Sequence, residues 1–85
     1  RPIESDSIDE TLLDALRQLR RQIAEREKMP AYIIFSDDAL ADMVEKKPIT
    51  IEAFREIRGV GQIKLDKYGK VFVALIRFVL KLPNP

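Results

Sequence analysis

The sequence contains neither cysteine nor histidine among its 85 residues. Without histidine the chain lacks the usual general base of enzymes, the usual zinc ligand and every nucleophile that works through an imidazole. Without cysteine it can form no disulfide, which fits a reducing compartment. Asp37 and Asp38 are adjacent carboxylates, but their position in the first turn of a predicted helix explains them without a catalytic role. We therefore expect no catalytic residue, metal or cofactor in this chain.

Long apolar runs are also missing. The most apolar stretch, residues 71–80, is too short to cross a membrane and is interrupted by Arg77. No stretch resembles a signal peptide. We expect no membrane contact, a cytoplasmic location and one domain over residues 1–85, with its core at about 7–81 and polar, linker-like ends. The 46% of apolar residues can fill one core, and the 34% of charged residues can cover it.

The net charge of +1 hides a division of charge along the chain. Residues 1–45 carry eleven acidic and six basic residues, whereas residues 46–85 carry nine basic and three acidic residues. A chain divided in this way can attract a polyanion with one half while repelling it with the other. Alternatively, the two halves face each other and neutralise each other's charge. The composition leaves both interpretations open.

Periodicity and capping signals predict an all-α, compact bundle of about five helices. A capping box at Ser7–Glu10 precedes apolar residues that recur every three or four positions, and Ser36 and Thr50 are typical N-caps. Gly59 and Gly69 are predicted to end helices. The predicted helices cover about 7–28, 36–47, 50–58, 61–68 and 70–81. Residues 29–35 are predicted to be an extended or 3₁₀ connector. The last helix, apolar nearly all round, is expected at the centre of the bundle.

The segment Gly59-Val60-Gly61 predicts a helix-hairpin-helix-like turn. Glycine permits positive φ and close backbone approach, so Gly59 can end one helix and Gly61 can open the next. The free N–H groups at such a helix start form an anion site, and the lysines one turn later add positive charge. The alternative is a tight turn that joins two packed helices and binds nothing. The residues of the turn alone do not decide between these two interpretations.

In order and spacing, the motifs of this chain resemble the HRDC domain, the helical module found near the C-terminus of RecQ-type DNA helicases and of RNase D. The resemblance extends from about Leu12 to Val79 and is closer to bacterial RecQ sequences than to RNase D. The residues that carry it are Leu16-Arg17-Gln18-Leu19-Arg20, Met29-Pro30-Ala31-Tyr32-Ile33-Ile34-Phe35-Ser36-Asp37, Lys47-Pro48-Ile49-Thr50, Gly59-Val60-Gly61, Lys64-Leu65 and Tyr68-Gly69. Ala31 stands where the family often has a second proline, which should loosen the connector slightly.

The resemblance implies an auxiliary, non-catalytic domain that binds nucleic acid. In RecQ helicases such domains engage single-stranded, partly duplex or branched DNA, and the parent helicases act in DNA repair and recombination. The parent protein is then expected to be an ATP-dependent DNA helicase of the bacterial cytoplasm, associated with the nucleoid. ATP and Mg²⁺ are expected for that parent and no cofactor for this domain. We expect the isolated domain to be a monomer that binds DNA weakly and also contacts other domains of its parent.

The family's contact surface, carried over to this sequence, lies around Tyr32 and the basic residues near the glycine turn. The predicted nucleic-acid-binding residues are Tyr32, Arg55, Arg58, Gly59, Gly61, Lys64, Lys67 and Lys70. We refer to Arg55, Arg58, Lys64, Lys67 and Lys70 as the basic patch, which Arg77 and Lys81 are candidates to extend. The alternative for these cations is an ordinary solvated face. For Tyr32 a core position is as well supported as an exposed, stacking one, whereas Phe35 is expected in the core.

A second hypothesis assigns the domain to protein contacts. In that case the acidic surface formed by Asp37, Asp38, Asp42 and Glu45 would dock on a basic surface of the parent enzyme or a partner, with little DNA binding. A contact with RNA, suggested by the RNase D members, is a third hypothesis. The arginines of the first helix, Arg17, Arg20 and Arg21, are expected to pair with acids of their own helix.

Overall fold

A computed structural model describes residues 3–83 of the chain, with side chains described for residues 8–83. Over this range the chain forms five helices and no strand, which confirms the all-α prediction. The helices are α1 (Ile3–Glu27), α2 (Ala31–Ile34), α3 (Asp37–Lys46), α4 (Ile51–Phe54) and α5 (Gln62–Val79). Helix α1 begins four residues before the predicted cap, so Ser7 lies inside the helix and its predicted capping role is wrong. The side chain of Ser7 is outside the described part.

Two predicted N-caps are confirmed by their hydrogen bonds. The Ser36 hydroxyl accepts a hydrogen bond from the Ala39 N–H at 3.1 Å, and the Thr50 hydroxyl accepts one from the Ala53 N–H at 3.0 Å. Each bond satisfies an amide that has no partner within its own helix. These caps therefore determine where α3 and α4 begin.

The connector between α1 and α3 differs from its prediction. Residues 31–34 form the single α-helical turn α2 instead of an extended or 3₁₀ segment. Pro30 has φ −60°, a value already compatible with a helix, and it stands at the start of this turn, where a missing N–H costs no hydrogen bond. Ile34 and Phe35 are completely buried, so the turn is held by its C-terminal side.

Gly69 does not end a helix, which is a second correction. Helix α5 continues through this position and is 18 residues long. A Cβ atom at residue 69 would lie 3.3 Å from the Ile51 side chain and 3.2 Å from that of Leu65. Glycine therefore allows α4 to pack closely against α5, and the cost of about 1 kcal/mol relative to alanine is smaller than that of breaking the helix.

Three helices end on a lysine with left-handed backbone. Lys28, Lys47 and Lys81 have φ values of 57°, 47° and 62°. After α1 the Met29 N–H donates to the Ala24 carbonyl at 2.9 Å, and after α5 the Leu82 N–H donates to the Arg77 carbonyl at 2.8 Å. Both bonds are of the Schellman type, in which glycine usually occupies the left-handed position. Their signal in the sequence is weak because lysine replaces glycine.

Aromatic rings form the centre of the core. Phe35 packs edge-on against Phe54, Tyr68 and Phe72, with ring centroids 5.9, 5.8 and 4.9 Å away. Helix α5 contributes a single buried face to this cluster, whereas Phe78 on its outer face is 73% exposed. The expectation that this helix is buried on all sides is therefore wrong. The core thus joins the end of α2 to α4 and α5.

Candidate nucleic-acid interface

Tyr32 is exposed at the protein surface, whereas Phe35 is buried in the core. Phe35 is completely buried, as predicted, whereas 68% of Tyr32 is exposed. The one-turn helix explains the difference, because Phe35 anchors its end in the core and leaves Tyr32 on the outside. The structure therefore excludes a core position for Tyr32, and its ring is available for stacking.

Arg20 holds the segment that follows Tyr32. Its side chain is only 12% exposed, and its guanidinium donates to the Phe35 carbonyl at 2.9 Å and contacts the Asp37 carboxylate at 3.0 Å. Arg20 was expected to pair within its own helix, and that prediction is wrong because the partner comes from α3. The contact fixes the end of α2 against α1 and so fixes the orientation of the turn that carries Tyr32.

The glycine turn joins α4 to α5. Gly59 has φ +82°, the left-handed region that favours glycine. The prediction that it ends a helix over residues 50–58 is wrong, because α4 already ends at Phe54 and Gly59 lies in the turn that follows. Gly61 has an extended backbone, and a Cβ there would meet nothing within 4 Å. Gly61 is the N-cap of α5 and makes no side-chain capping bond, so the first N–H groups of α5 receive no cap from it. Ile63, in the first turn of α5, is 75% exposed.

Three lysines of the basic patch form one row on α5. Because the helix is continuous, Lys64, Lys67 and Lys70 are spaced three residues apart, and such residues are neighbours on a helix surface. The row covers about 9 Å along the axis. The Lys64 ammonium lies 5.5 Å from the centroid of the Phe35 ring. This contact brings the first lysine of the row to the end of α2, three residues from Tyr32.

Lys67 is in a different environment from the other two lysines. Its ammonium lies 3.7 Å from Glu27 Oε1, and the Tyr68 hydroxyl donates to the same oxygen at 2.7 Å. Lys67 also lies 5.2 Å from the centroid of the Tyr68 ring. The pKa of Lys67 is raised above its ordinary value of 10.5, first by its interaction with the Tyr68 side chain and next by the charge of Glu27. Lys67 is thus positively charged near neutral pH, and the nearby Glu27 carboxylate offsets part of that charge.

The remaining cations of the basic patch have few partners. Arg55 donates to Gln62 Oε1 at 2.9 Å, and Gln62 in turn donates to Asp66 at 2.8 Å. Arg58 uses its backbone N–H, which donates to the Asp42 carboxylate at 2.9 Å. Over the described side chains, residues 8–83, no carboxylate lies within ion-pair distance of Arg55, Arg58, Lys64 or Lys70. These four side chains thus make no ion pair with those carboxylates, although the charge of Arg58 also contributes to the lowered pKa of Asp42.

Comparison with known proteins gives the family of this fold. The sequence model of the protein family described as HRDC domain matches residues 9–76, which include every predicted contact residue. The chain belongs to the HRDC family. The HRDC domain described here is 44% identical over 69 residues to the ATP-dependent DNA helicase RecQ of Haemophilus influenzae, and the match covers 81% of this chain and 11% of that protein. It is also 36% identical over 70 residues to the ATP-dependent DNA helicase UvrD2 of Mycobacterium tuberculosis, covering 82% of this chain and 10% of that protein.

A solved structure supports the same fold. The D. radiodurans RecQ HRDC domain 3 superimposes with a TM-score of 0.82 at 28% sequence identity, covering 85% of this chain and 95% of that one. In contrast, the chain spans only about a tenth of the length of the curated helicases that it matches. The match is therefore confined to one short region of each of these much longer helicases.

The charge division of this HRDC domain is partly neutralised by folding. Lys46 contacts Asp42 at 3.1 Å, Lys47 contacts Asp9 at 2.7 Å, and Lys67 contacts Glu27. In each pair a lysine of the second half of the chain meets a carboxylate of the first half. The two interpretations of the charge pattern are thus both partly correct, because some cations are neutralised and others remain available.

Two further cations do not extend the patch as simply as expected. Arg77 donates through its guanidinium to the carbonyls of Ile49, at 2.9 Å, and Pro83. It therefore ties the end of α5 to the loop before α4. An apolar groove of about 550 Å³ lies beside it, and Ile49, Val73 and Lys70 contribute to its walls. Lys81 is exposed just after α5.

The acidic surface is also partly used inside the HRDC domain. Asp37 contacts Arg20, and Asp42 accepts the Arg58 N–H and contacts Lys46. The pKa of Asp42 is lowered from its ordinary value of 3.8, chiefly by the hydrogen bond from the Arg58 backbone. Asp38 and Glu45 are exposed. Of the four carboxylates proposed for protein contacts, two thus have structural partners.

Sequence reasoning missed several surface residues. Ile63 in the first turn of α5 is among the most exposed residues, and Ile33 beside Tyr32 is also exposed. The spacing of Leu65, Tyr68, Phe72 and Ile76 would have placed Ile63 off the buried face. The contact between Glu27 and Tyr68 joins residues 41 positions apart and has no signal in a single sequence. Within residues 3–83 no helix is long and apolar enough to span a bilayer. The described side chains, residues 8–83, contain no group of three His, Cys, Asp or Glu residues that could hold a metal ion.

Proposed function

We propose that this HRDC domain is an auxiliary DNA-binding domain of an ATP-dependent DNA helicase of the RecQ type. It engages single-stranded or branched DNA through Tyr32, the basic patch and the turn at Gly59 and Gly61. The similarity to helicases named RecQ supports the assignment of the parent protein to this type. In this proposal ATP and Mg²⁺ are used by other domains of that parent, which acts in DNA repair and recombination beside the bacterial nucleoid.

The observation that carries the proposal is the exposed ring of Tyr32 on α2 with Lys64 at the end of that helix, together with further cations of the basic patch that make no ion pair with the described carboxylates. Tyr32 is exposed on α2, and Lys64 reaches the residue that ends α2. Arg55, Arg58 and Lys70 make no ion pair with the described carboxylates. A stacking surface beside a row of cations is the arrangement that single-stranded nucleic acids bind without strong sequence preference.

A titration of a fluorescent oligonucleotide at two salt concentrations tests the proposal. Binding through phosphates releases counterions, so affinity should fall with salt by a slope of about 0.7 for each phosphate neutralised on a single strand. A domain with few such contacts should bind weakly and show a slope of a few units at most. A salt-independent affinity, or no binding at low salt, would contradict the proposal.

The role of Tyr32 requires a separate comparison of two variants. Tyr32→Ala removes the ring and should weaken binding by about 1–3 kcal/mol, at least about fivefold, if a base stacks on it. Tyr32→Phe keeps the ring and serves as the matched control. Since the residue is exposed, both variants should keep their stability within about 0.5 kcal/mol. Equal binding by the two variants would exclude stacking.

Shift mapping by NMR distinguishes the DNA hypothesis from protein contact through the acidic surface. On addition of a single-stranded oligonucleotide, the largest changes should fall on α2 and on the first two turns of α5. Amides around Asp38 and Glu45 should change little. No response of α2 and α5 at low salt would leave protein contact as the better hypothesis.

A further inference from the structure

One carboxylate occupies the position in the row of lysines where an anion would bind. Glu27 is the last residue of α1, and its side chain is 22% exposed. Two groups of α5 converge on its Oε1 atom: the Tyr68 hydroxyl donates a hydrogen bond at 2.7 Å, and the Lys67 ammonium makes an ion pair at 3.7 Å. A phosphate oxygen accepts hydrogen bonds from the same kinds of group, a hydroxyl and an ammonium.

The site is built rather than incidental. Tyr68 is only 5% exposed, and its ring packs edge-on against the buried Phe35, so its hydroxyl has a fixed position. Lys67 lies over the same ring at 5.2 Å from the centroid. The Tyr68 hydroxyl is therefore held in place by the core, whereas the Lys67 side chain is 49% exposed and the carboxylate comes from the end of another helix.

The acceptor comes from a helix end and is less buried than Tyr68. Helix α1 ends at Glu27, and the chain reverses at Lys28 with φ 57°. Because the Glu27 carboxylate is partly open to solvent and near a helix end, it can leave the two donors without a change in the core. Lys64 and Lys70 flank Lys67 on α5 and make no ion pair with described carboxylates.

We propose that Lys67 and the Tyr68 hydroxyl form an anion site that Glu27 fills in the free domain and that a backbone phosphate takes over in the complex. This inference rests on the proposed DNA-binding function and adds a regulating residue to it. Glu27 competes with the phosphate, so it lowers the affinity of the free domain for nucleic acid. Binding would then exchange one anion for another at the centre of the row.

The decisive variant is Glu27→Gln, which removes the charge but keeps an oxygen that accepts the Tyr68 hydroxyl. Its affinity for a fluorescein-labelled thymidine oligonucleotide at low salt should rise about two- to fivefold, as expected for release of one partly exposed ion pair. The salt slope should rise by about 0.7 because one more phosphate is neutralised. Glu25→Gln is the matched control, since Glu25 is exposed on α1 and the change in net charge is the same.

A second measurement compares Lys67→Gln with Lys64→Gln, first in the otherwise unchanged domain and then with Glu27→Gln. In the otherwise unchanged domain Lys67→Gln should cost less affinity than Lys64→Gln, because Glu27 already offsets the charge of Lys67. In the Glu27→Gln background Lys67→Gln should abolish the gain. If the domain binds but Glu27→Gln matches Glu25→Gln, or if Lys67→Gln costs as much as Lys64→Gln, this inference is wrong while the proposed function stands. If no variant binds at low salt, both are wrong.

Discussion

Two pairs of lysines in the second half of the chain have opposite surroundings. Lys46 and Lys47, at the end of α3, contact Asp42 and Asp9 at 3.1 and 2.7 Å. Lys64 and Lys70, on α5, meet no carboxylate among the described side chains within ion-pair distance. The pairs are alike in residue type and charge and differ only in what folding places beside them. A charge count along the sequence therefore overestimates the positive potential that a polyanion meets.

The Arg20 side chain is mostly buried and makes two contacts, so among the cations compared here its loss should lower stability the most. Arg20→Met removes a charged hydrogen bond to the Phe35 carbonyl and the contact with Asp37, so the free energy of unfolding should fall by about 2–3 kcal/mol. Urea denaturation measures this change. Arg17→Met is the control, because Arg17 is exposed on the same helix and its loss should change stability by no more than about 0.5 kcal/mol. Equal effects of the two variants would show that the Arg20 contacts contribute nothing specific.

The two lysine pairs can be compared directly in double variants of equal net charge. Lys64→Gln with Lys70→Gln should weaken oligonucleotide binding roughly tenfold and lower the salt slope by about 1.4, since two phosphate contacts are lost. Stability should fall by no more than about 1 kcal/mol, from the loss of the Lys64 contact with the Phe35 ring. Binding titrations at several salt concentrations give both values. An unchanged salt slope would place the DNA contact elsewhere.

Lys46→Gln with Lys47→Gln is the matching half of this comparison. It should lower the free energy of unfolding by about 1 kcal/mol, because two partly exposed ion pairs are removed along with the hydrogen bond from Lys47 to the Val44 carbonyl. DNA affinity should change less than in the α5 double variant. If both double variants weaken binding equally, the effect depends on net charge, and the distinction between the two pairs fails.

How much of this arrangement was accessible from the sequence depends on the range of the interactions involved. The caps at Ser36 and Thr50 were predicted correctly because a cap is a contact over three residues. The burial of Phe35 also followed from its apolar neighbours. Gly69 was misassigned because its reason for being glycine is Ile51, a residue of another helix.

The same limit applies to the candidate interface. The identity of the cations was predictable, but their partners were not, since Lys47 meets Asp9 and Lys67 meets Glu27 across long stretches of chain. The exposure of Tyr32 was undecided because a one-turn helix after Pro30 is too short for a periodic signal. Whether Tyr32 and the basic patch bind DNA remains a prediction for the experiments above.

The smallest expected effect concerns the contacts of Lys67, which lies between the two lysine pairs in the degree to which a carboxylate offsets its charge. In Tyr32→Phe the single remaining tyrosine is Tyr68, whose pKa is raised above its ordinary value of 10.0, first by burial and next by the hydrogen bond to Glu27. Absorbance of the phenolate should therefore appear above pH 10, and Glu27→Gln should move the transition to lower pH. A transition at the ordinary value in both backgrounds would mean that Glu27 and Tyr68 do not interact in solution.

The sign of the linked stability follows from the same shift. The folded protein holds the Tyr68 proton more tightly than the unfolded chain does. The stability linked to this group is therefore fully present below about pH 10 and is lost as the pH rises through the folded-state pKa.

The left-handed lysines that end α1, α3 and α5 have a practical consequence for engineering. A residue with a Cβ in this conformation costs roughly 1 kcal/mol relative to glycine, and the domain accepts that cost at Lys28, Lys47 and Lys81. All three lie outside the basic patch. Glycine at position 28 or 81 is thus a route to a more heat-resistant domain for use as a rigid module, whereas at position 47 the gain would be offset by the lost contact with Asp9.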